Sequence, residues 1–506
     1  MMFAVFERFV SCLWGYPLLG VILLTGVYLT IRAGLFQFRY FGKIVLFPFK
    51  RSSMEGGKGK KEALSPFQAV CVAVGSTVGV SNISGVGTAI AVGGPGALFW
   101  LWVAAFLGMI IKMAEVSLAV YYRKTGPDGS LCGGPTYYMQ RYFGEERGGK
   151  LWVVPAVMFA LGLYTTHFFT LQNFTVAEAI GTTFNIPFII PSLALVAGIY
   201  LVTLGGLKRI GMFASYMVPF MCLFYIGCAI VILIMNASAI PAALGAVFKG
   251  AFSGQSALGG FMGASVATAM RLGFARSVYS NEAGWGTSPM VHATAETDHP
   301  VKQGMMGAFE VFADTLCVCS ATGLMFIVTG AWSSGITGAE LTLVAIEGNL
   351  GSVARIIVAL SIFMFALTSC GWYAYYTTLL KHAFSDKGPI MEKIGGIWLQ
   401  LYRFCNPLWG FLLCMYTVYV GATPAQVWVV ADFCTLIPTF VNVSVILIIS
   451  GKFIKLVEDY KARYMGIGKI DPGFRPFFEE QASLREAKSV HGDTKPVAEY
   501  GPGYGL

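Results

Sequence analysis

Two stretches of this 506-residue sequence place glycine among short polar side chains, inside runs that are otherwise apolar. The first is Gly75-Ser76-Thr77-Val78-Gly79-Val80-Ser81-Asn82-Ile83-Ser84-Gly85-Val86-Gly87. The second is Ser280-Asn281-Glu282-Ala283-Gly284-Trp285-Gly286-Thr287-Ser288-Pro289. Glycine adopts backbone angles that other residues avoid, and a helix interrupted there leaves amides and carbonyls unpaired. The N-terminus of a half-helix carries partial positive charge and suits a carboxylate. Carbonyls on the other side of such a break suit sodium or an ammonium group, and a zwitterionic amino acid needs both. Close helix packing is the alternative, because Gly-x-x-x-Gly spacing, as in Gly75 and Gly79, is common at helix interfaces. For one such stretch packing is favoured. Two of them, five spans apart and each with polar residues, favour a binding site between inverted repeats.

Ionisable residues within apolar spans are functional candidates by default. Lys112 and Glu115, three apart on one helix face, read as a local ion pair. Glu310 and Asp314 fall one turn apart, near enough to share an aqueous path; for Asp314 a coupling site and a hydrogen-bonded structural role stand level. Glu282 reads as a cap for backbone amides freed by the second break. Thr368-Ser369-Cys370-Gly371-Trp372 offers hydroxyl oxygens suited to sodium and an aromatic wall for a small cavity, although taken alone it reads as helix-interface packing. His292, Glu296, Asp298 and His299 cluster where a span should leave the membrane, and a solvated helix end is preferred to a metal site. The sequence contains no His-Glu-x-x-His or Gly-x-Ser-x-Gly, the commonest hydrolase signals, and no Gly-x-x-x-x-Gly-Lys-Ser/Thr for ATP-driven pumping.

The elements that must hold these residues follow from composition. The chain is 56% hydrophobic and 12% charged, with a mean hydropathy of +0.67. Soluble domains carry about 25% charged residues, so this chain is expected to be solvated by lipid. Apolar runs of about 20 residues match helices that cross a bilayer, and the alternation of a membrane β-barrel is absent. Eleven spans are predicted, near 10–31, 66–92, 97–121, 152–178, 187–207, 211–235, 261–294, 304–331, 353–383, 397–420 and 425–450. The first is a full span with no cleavage site before Arg32, and so reads as retained. Basic residues gather in alternate loops, foremost Arg32, Arg39, Lys43, Lys50, Arg51, Lys58, Lys60 and Lys61, then Arg123 to Lys150, Lys208–Arg209, Lys381–Lys393 and the tail from Lys452. Gly181–Pro187 and Ser333–Gly351 are nearly free of them. The positive-inside rule then sets the N-terminus outside and the C-terminus in the cytoplasm. The formal net charge of +9 is thereby a topology signal and calls for no nucleic-acid partner. The eleven cysteines, mostly within spans, read as small core hydrophobes.

Between about Pro17 and Ser450 the sequence resembles the alanine or glycine:cation symporters. The likeness rests on Val78 to Ala89 with Gly93-Gly94-Pro95-Gly96-Ala97, on Ser280 to Gly286 continued by Thr297-Asp298-His299-Pro300, and on Thr368 to Trp372. It implies an all-α membrane protein of the amino acid-polyamine-organocation transporter fold: a five-plus-five inverted repeat with two broken helices and one extra N-terminal span. The chain would then divide into an extra helix and basic loop (1–64), a first repeat (65–236), a second repeat (237–451, beginning between Phe220 and Gly260) and a cytoplasmic tail (452–506), expected to be a helix followed by disorder towards Gly501–Gly505. By the same likeness, sodium would sit among the carbonyls of Gly75, Val78 and Phe365 and the hydroxyls of Thr368 and Ser369. Thr77 and the amides of Gly79, Val80, Ser81 and Asn82 would receive a substrate carboxylate. Ser280, Asn281, Gly284 and Gln172 would face the ammonium or its surroundings, and Trp285 and Trp372 would bound the side-chain pocket. Trp285 stands where the family usually has an aliphatic residue, which should favour substrates as small as glycine. The implied activity is symport of a small neutral amino acid with sodium in a bacterial inner membrane, by a monomer without a resident cofactor. Proton coupling through Asp314 or Glu115 is the nearest alternative, and a membrane-embedded enzyme or a receptor the more distant ones.

Overall fold

The computed structural model describes residues 2–54, 64–126, 129–168, 171–253, 266–385 and 387–491. Lys58, Lys60 and Lys61 of the basic loop, the start of the seventh expected span (261–265), the limit of the second repeat at Gly260 and the terminal Gly501–Gly505 lie outside these residues. The described chain is an all-α membrane protein. Its only β-ladder is a small hairpin, Lys124–Thr125 against Leu131–Cys132. In lipid every backbone group must be satisfied within its own segment, and helices accomplish that.

Five described helices have the length and apolarity to cross a bilayer: Gly96–Tyr121, Arg209–Met235, Pro300–Val328, Ser352–Phe384 and Pro424–Met465. A bent pair, Pro66–Thr77 with Ser81–Gly93, meets at 47° and forms a broken span. Shorter apolar helices, Leu19–Arg32 and Ile189–Thr203 among them, fall on other expected spans. Two helix starts are fixed by capping boxes with proline in the first turn: Ser65 with Gln68 before Pro66, and Thr423 with Gln426 before Pro424.

One order of elements occurs twice. A broken helix (Pro66–Thr77 and Val86–Gly93) is followed by Gly96–Tyr121, a short helix Pro135–Met139, Val153–Phe168 with Leu171–Phe184, then Ile189–Thr203 and Gly206–Met235. A second broken helix (Val266–Asn281 and Ser288–His292) is followed by Pro300–Val328, a short helix Gly338–Leu350, Ser352–Phe384, then Pro389–Tyr419 and Pro424–Met465. This recurrence of one element order is what an internal structural repeat produces. The segment leading into the first set meets the end of the second broken helix, where Leu64 pairs with Ala295 in a parallel bridge and Leu64 N–H donates to the Thr294 carbonyl at 3.4 Å.

The structure corrects the sequence reading at three places. Ser333–Gly351, read as a loop, contains the helix Gly338–Leu350. An extra helix, Ile240–Ser253, precedes the second set. The last span continues unbroken to Met465, and the helix expected in the tail is Phe478–His491. This tail is docked: Arg141 pairs with Glu479 at 3.0 Å, and Phe474 and Phe478 are buried against Tyr121 and Tyr122.

Gly96–Tyr121 is the buried axis against which the second broken helix and Pro300–Val311 pack. Their approach is close enough that a Cβ at Gly273 would sit 2.4 Å from the Ala97 carbonyl oxygen. Backbone cannot yield as a side chain can, so Gly273→Val should destabilise the protein by about 1–3 kcal/mol or more. A lowered melting midpoint in detergent, read by fluorescence-detected size exclusion, checks this; an unchanged midpoint would refute the packing.

Candidate functional site

The first break begins where Val78 turns to an extended conformation (ψ 108°), ending the helix from Pro66. The Gly79 amide donates to Asn82 Oδ1 at 2.8 Å, so the Asn82 side chain caps the next half-helix. Asn82 Nδ2 donates to Asp314 Oδ1 at 2.7 Å, and Thr315 Oγ1 donates to Asp314 Oδ2 at 2.7 Å. Asp314 is therefore the buried anchor of the first break. The Gly79 amide, expected to meet a substrate carboxylate, is engaged by Asn82.

Opposite the break, Thr368 Oγ1 lies 2.5 Å from the Gly75 carbonyl oxygen and 2.6 Å from that of Phe365. One hydroxyl proton cannot serve both, so three oxygens converge with at most one hydrogen among them. Ser369 Oγ instead donates to the Ala366 carbonyl of its own helix at 2.6 Å.

The second break follows Asn281, where Glu282, Gly284 and Gly286 all take positive φ (53°, 87° and 86°). At Gly284 glycine is required twice, because a Cβ would also come within 2.4 Å of Val443 Cγ2. The freed amides are capped by side chains: Ala283 N–H donates to Asn281 Oδ1 at 2.9 Å, and Gly284 N–H to Glu115 Oε2 at 3.0 Å. Asn442 Nδ2 donates to Glu115 Oε1 at 2.5 Å and to the Gly284 carbonyl at 3.0 Å, and Tyr138 donates its hydroxyl to Asn442 Oδ1. Lys112 Nζ donates to the Glu282 carbonyl at 2.9 Å and to Ser288 Oγ at 2.8 Å.

These contacts overturn four local expectations. Lys112 and Glu115 do not pair; each turns to a different backbone group of the break, and the carboxylate beside Lys112 is Glu310, at 3.6 Å. Glu282 does not cap amides; its carboxylate accepts the Thr287 hydroxyl. Glu310 and Asp314 belong to separate networks, one around His292 and the other around Asn82. His292 and His299 are buried, not solvated, because the helices from Pro300 and to Met465 extend beyond the expected membrane edge and enclose them.

Between the breaks lies a narrow polar cavity. Of the residues singled out in the sequence, it is lined by Gly75, Thr77, Gly79, Val80 and Ser81 from the first broken helix, with Gln172, Phe365, Ser369 and Trp372 across from them. Val78, Asn82, Thr368, Ser280, Asn281, Gly284, Trp285 and Asp314 stand outside this lining. Ser76, Tyr279 and Glu282 line it in addition. Ser76 Oγ is 2.5 Å from the Tyr375 hydroxyl. The Trp285 ring is set against Tyr279, centroids 5.4 Å apart, so Tyr279 meets the cavity where Trp285 was expected. Above Tyr279, Trp428 packs edge-on, Arg276 lies 4.2 Å over Trp428, and Arg276 and Asp432 form a buried ion pair.

Backbone carbonyls, a hydroxyl and a half-helix terminus suit binding and release of a small zwitterion and a hard cation. Comparison with known proteins agrees with that chemistry. The family model described as the sodium:alanine symporter family matches residues 1–470. The sodium/alanine symporter AgcS of Methanococcus maripaludis is 34% identical over 450 residues, covering 87% of this chain and 93% of AgcS. An uncharacterized transporter of Haemophilus influenzae is 35% identical over 464 residues, covering 90% of this chain and 95% of its own. The amino-acid carrier protein AlsT of Bacillus subtilis is 32% identical over 467 residues, covering 92% of each. The chain belongs to the sodium:alanine symporter family.

Proposed function

We propose that this member of the sodium:alanine symporter family takes up glycine or alanine with sodium, by alternating access about the two broken helices. The observation that carries the reading is the meeting of the Thr368 hydroxyl with the Gly75 and Phe365 carbonyls. These oxygens belong to two helices in opposite repeats, and a cation drawn among them would tie the first broken helix to Ser352–Thr368. Val78 and Ser369 would add their oxygens when the ion enters, Ser369 by rotating away from Ala366. The substrate would lie beside it. Its carboxylate would meet the amides from Val80 onward and the Thr77 hydroxyl, and its ammonium would meet Gln172 and the carbonyl edge of the second break around Ser280, Asn281 and Gly284. Gln172 Oε1 is buried with no hydrogen-bond partner among the described residues, which leaves an acceptor free for an ammonium.

The aromatic walls support a small substrate. Tyr279 and Trp372 both line the cavity, and Trp285 backs Tyr279, so aromatic rings would limit the side chain that a substrate can carry. Asp314 enters this reading as the anchor of Asn82 and the first break, in place of a proton carrier. The basic loops set the N-terminus outside and the tail in the cytoplasm of an inner membrane, and one chain holds the whole site.

Uptake of radiolabelled glycine and alanine into proteoliposomes, with and without an inward sodium gradient, tests the reading. Accumulation that needs the sodium gradient is the expected result. Equal uptake driven by a proton gradient alone would refute the sodium site, and uptake of neither by folded protein would refute the substrate class.

A further inference from the structure

Behind the second break lies a buried cluster with more acid than base. Glu115, Glu282, Glu310 and Asp314 are all exposed by 1% or less, and the one ammonium among them, Lys112, is fully buried too. Were every carboxylate ionised, the cluster would hold a net negative charge that a low-dielectric interior does not tolerate without added cations or protons. His292, also fully buried, stands where such a proton could be held.

Its Nε2 is 3.2 Å from Glu310 Oε2, which also accepts from Ser288 Oγ at 3.0 Å. Its Nδ1 is 2.7 Å from Gln303 Nε2. With that amide donating to Nδ1, the ring is neutral and its proton on Nε2 is donated to Glu310. Gln303 Oε1, on the other end of the same amide, is buried with no partner among the described residues. Turning the amide over would present this oxygen to an Nδ1–H. The same surroundings therefore satisfy the imidazole in both protonation states, with one amide rotation between them.

We propose that His292, held between Glu310 and Gln303, is a proton-binding site linked to the second helix break. A proton delivered from water bonds to the Nδ1 lone pair, the ring gains one positive charge, and Glu310 becomes its counter-ion. Glu310 is already beside Lys112, which holds the Glu282 carbonyl and Ser288. A second cation on Glu310 weakens its hold on Lys112, and so reaches the backbone of the break.

On Gly96–Tyr121, Glu115 is engaged by Gly284 and Asn442. Beyond that helix, Arg123 turns to the carbonyls of Ala293 and Ala295. On Trp372–Phe384, Tyr375 is the near titratable group, bonded to Ser76, while His382 at the far end meets Gln140. Asp314 is held by Asn82 and Thr315. Pro66–Thr77, packed on Ser288–His292, carries no charged side chain.

Only the link to sodium rests on the symport reading; the proton site itself does not. The protein has five histidines, so ¹⁵N-imidazole NMR of the full chain in nanodiscs can follow each. On acidification the signal lost in His292→Gln should change from the neutral to the doubly protonated imidazole pattern, and Glu310→Gln should reduce that change. Linkage is reciprocal, so exchanging potassium chloride for sodium chloride plus alanine should move the wild-type midpoint. A His292 that keeps one tautomer from pH 5 to 9 would overturn the site, and a titration indifferent to sodium would overturn its link to the break. Neither result touches sodium-driven uptake, which stands or falls in the proteoliposome assay.

Discussion

Thr368→Ala is expected to raise the sodium concentration for half-maximal uptake by roughly one to two orders of magnitude, with Thr368→Ser close to wild type. In the protein as described, the Thr368 hydroxyl satisfies one of two buried carbonyls, those of Gly75 and Phe365, and touches both. Deleting it removes one oxygen of the proposed ion site and strips a hydrogen-bond donor from the same carbonyls. A buried polar group left unpaired costs about 1–3 kcal/mol, and each 1.4 kcal/mol is about a tenfold change in affinity. The defect should be specific: substrate affinity measured at saturating sodium should change far less. Serine keeps the oxygen and loses only a methyl group, which separates ligation from packing. If Thr368→Ala transported with unaltered sodium dependence, the ion would have to bind elsewhere, and the oxygens around Asp314 would be the next place to look.

The breaks were legible because glycine weakens a helix and polar side chains cost energy in lipid, so an apolar run carrying several of both marks an opened backbone. Span positions followed from hydropathy, which reports the same cost of polar groups in lipid. What holds the breaks open was harder to find. Helical periodicity relates neighbours on one helix, and it made Lys112 and Glu115 look like partners; it says nothing of a third helix that offers each a better one. Here the unpaired backbone of the second break competes for both side chains and wins, because a freed amide in lipid has no water to turn to. Asp432 carried a usable signal as the one charged residue of the span 425–450, but its partner did not stand out, because the seventh span holds Arg271 and Glu282 as well as Arg276. Tyr279 had no such signal, since its place against the cavity depends on the ring of Trp285 behind it. The short helix Gly338–Leu350 was hidden because it lies between spans and, at 13 residues, is too short to read as a crossing helix. Its first turn is held from another repeat, by the Glu178 carboxylate accepting from Ala339 N–H at 2.9 Å.

Lys112→Met should be the most damaging single substitution in the second break, and Glu310→Gln should partly repair it. The ammonium of Lys112 donates to the Glu282 carbonyl and to Ser288, and it is the cation beside Glu310. Methionine fills nearly the same volume, so packing is preserved while a buried carboxylate loses its counter-charge. Breaking a buried pair from one side costs about 3–5 kcal/mol, a large share of the roughly 5–15 kcal/mol by which proteins are stable. The single variant should therefore show a sharply lower melting midpoint and little uptake. Glu310→Gln removes the uncompensated charge and keeps an acceptor for Ser288, so the double variant should recover stability that the lysine variant lost. It should not recover transport to the same degree, because the Glu282 carbonyl still lacks its donor and the break is still unsupported. The cycle thus separates charge balance from backbone support. Additive losses across Lys112→Met and Glu310→Gln would show that the two side chains act independently, and the break would then depend on Glu115 and Asn442 alone.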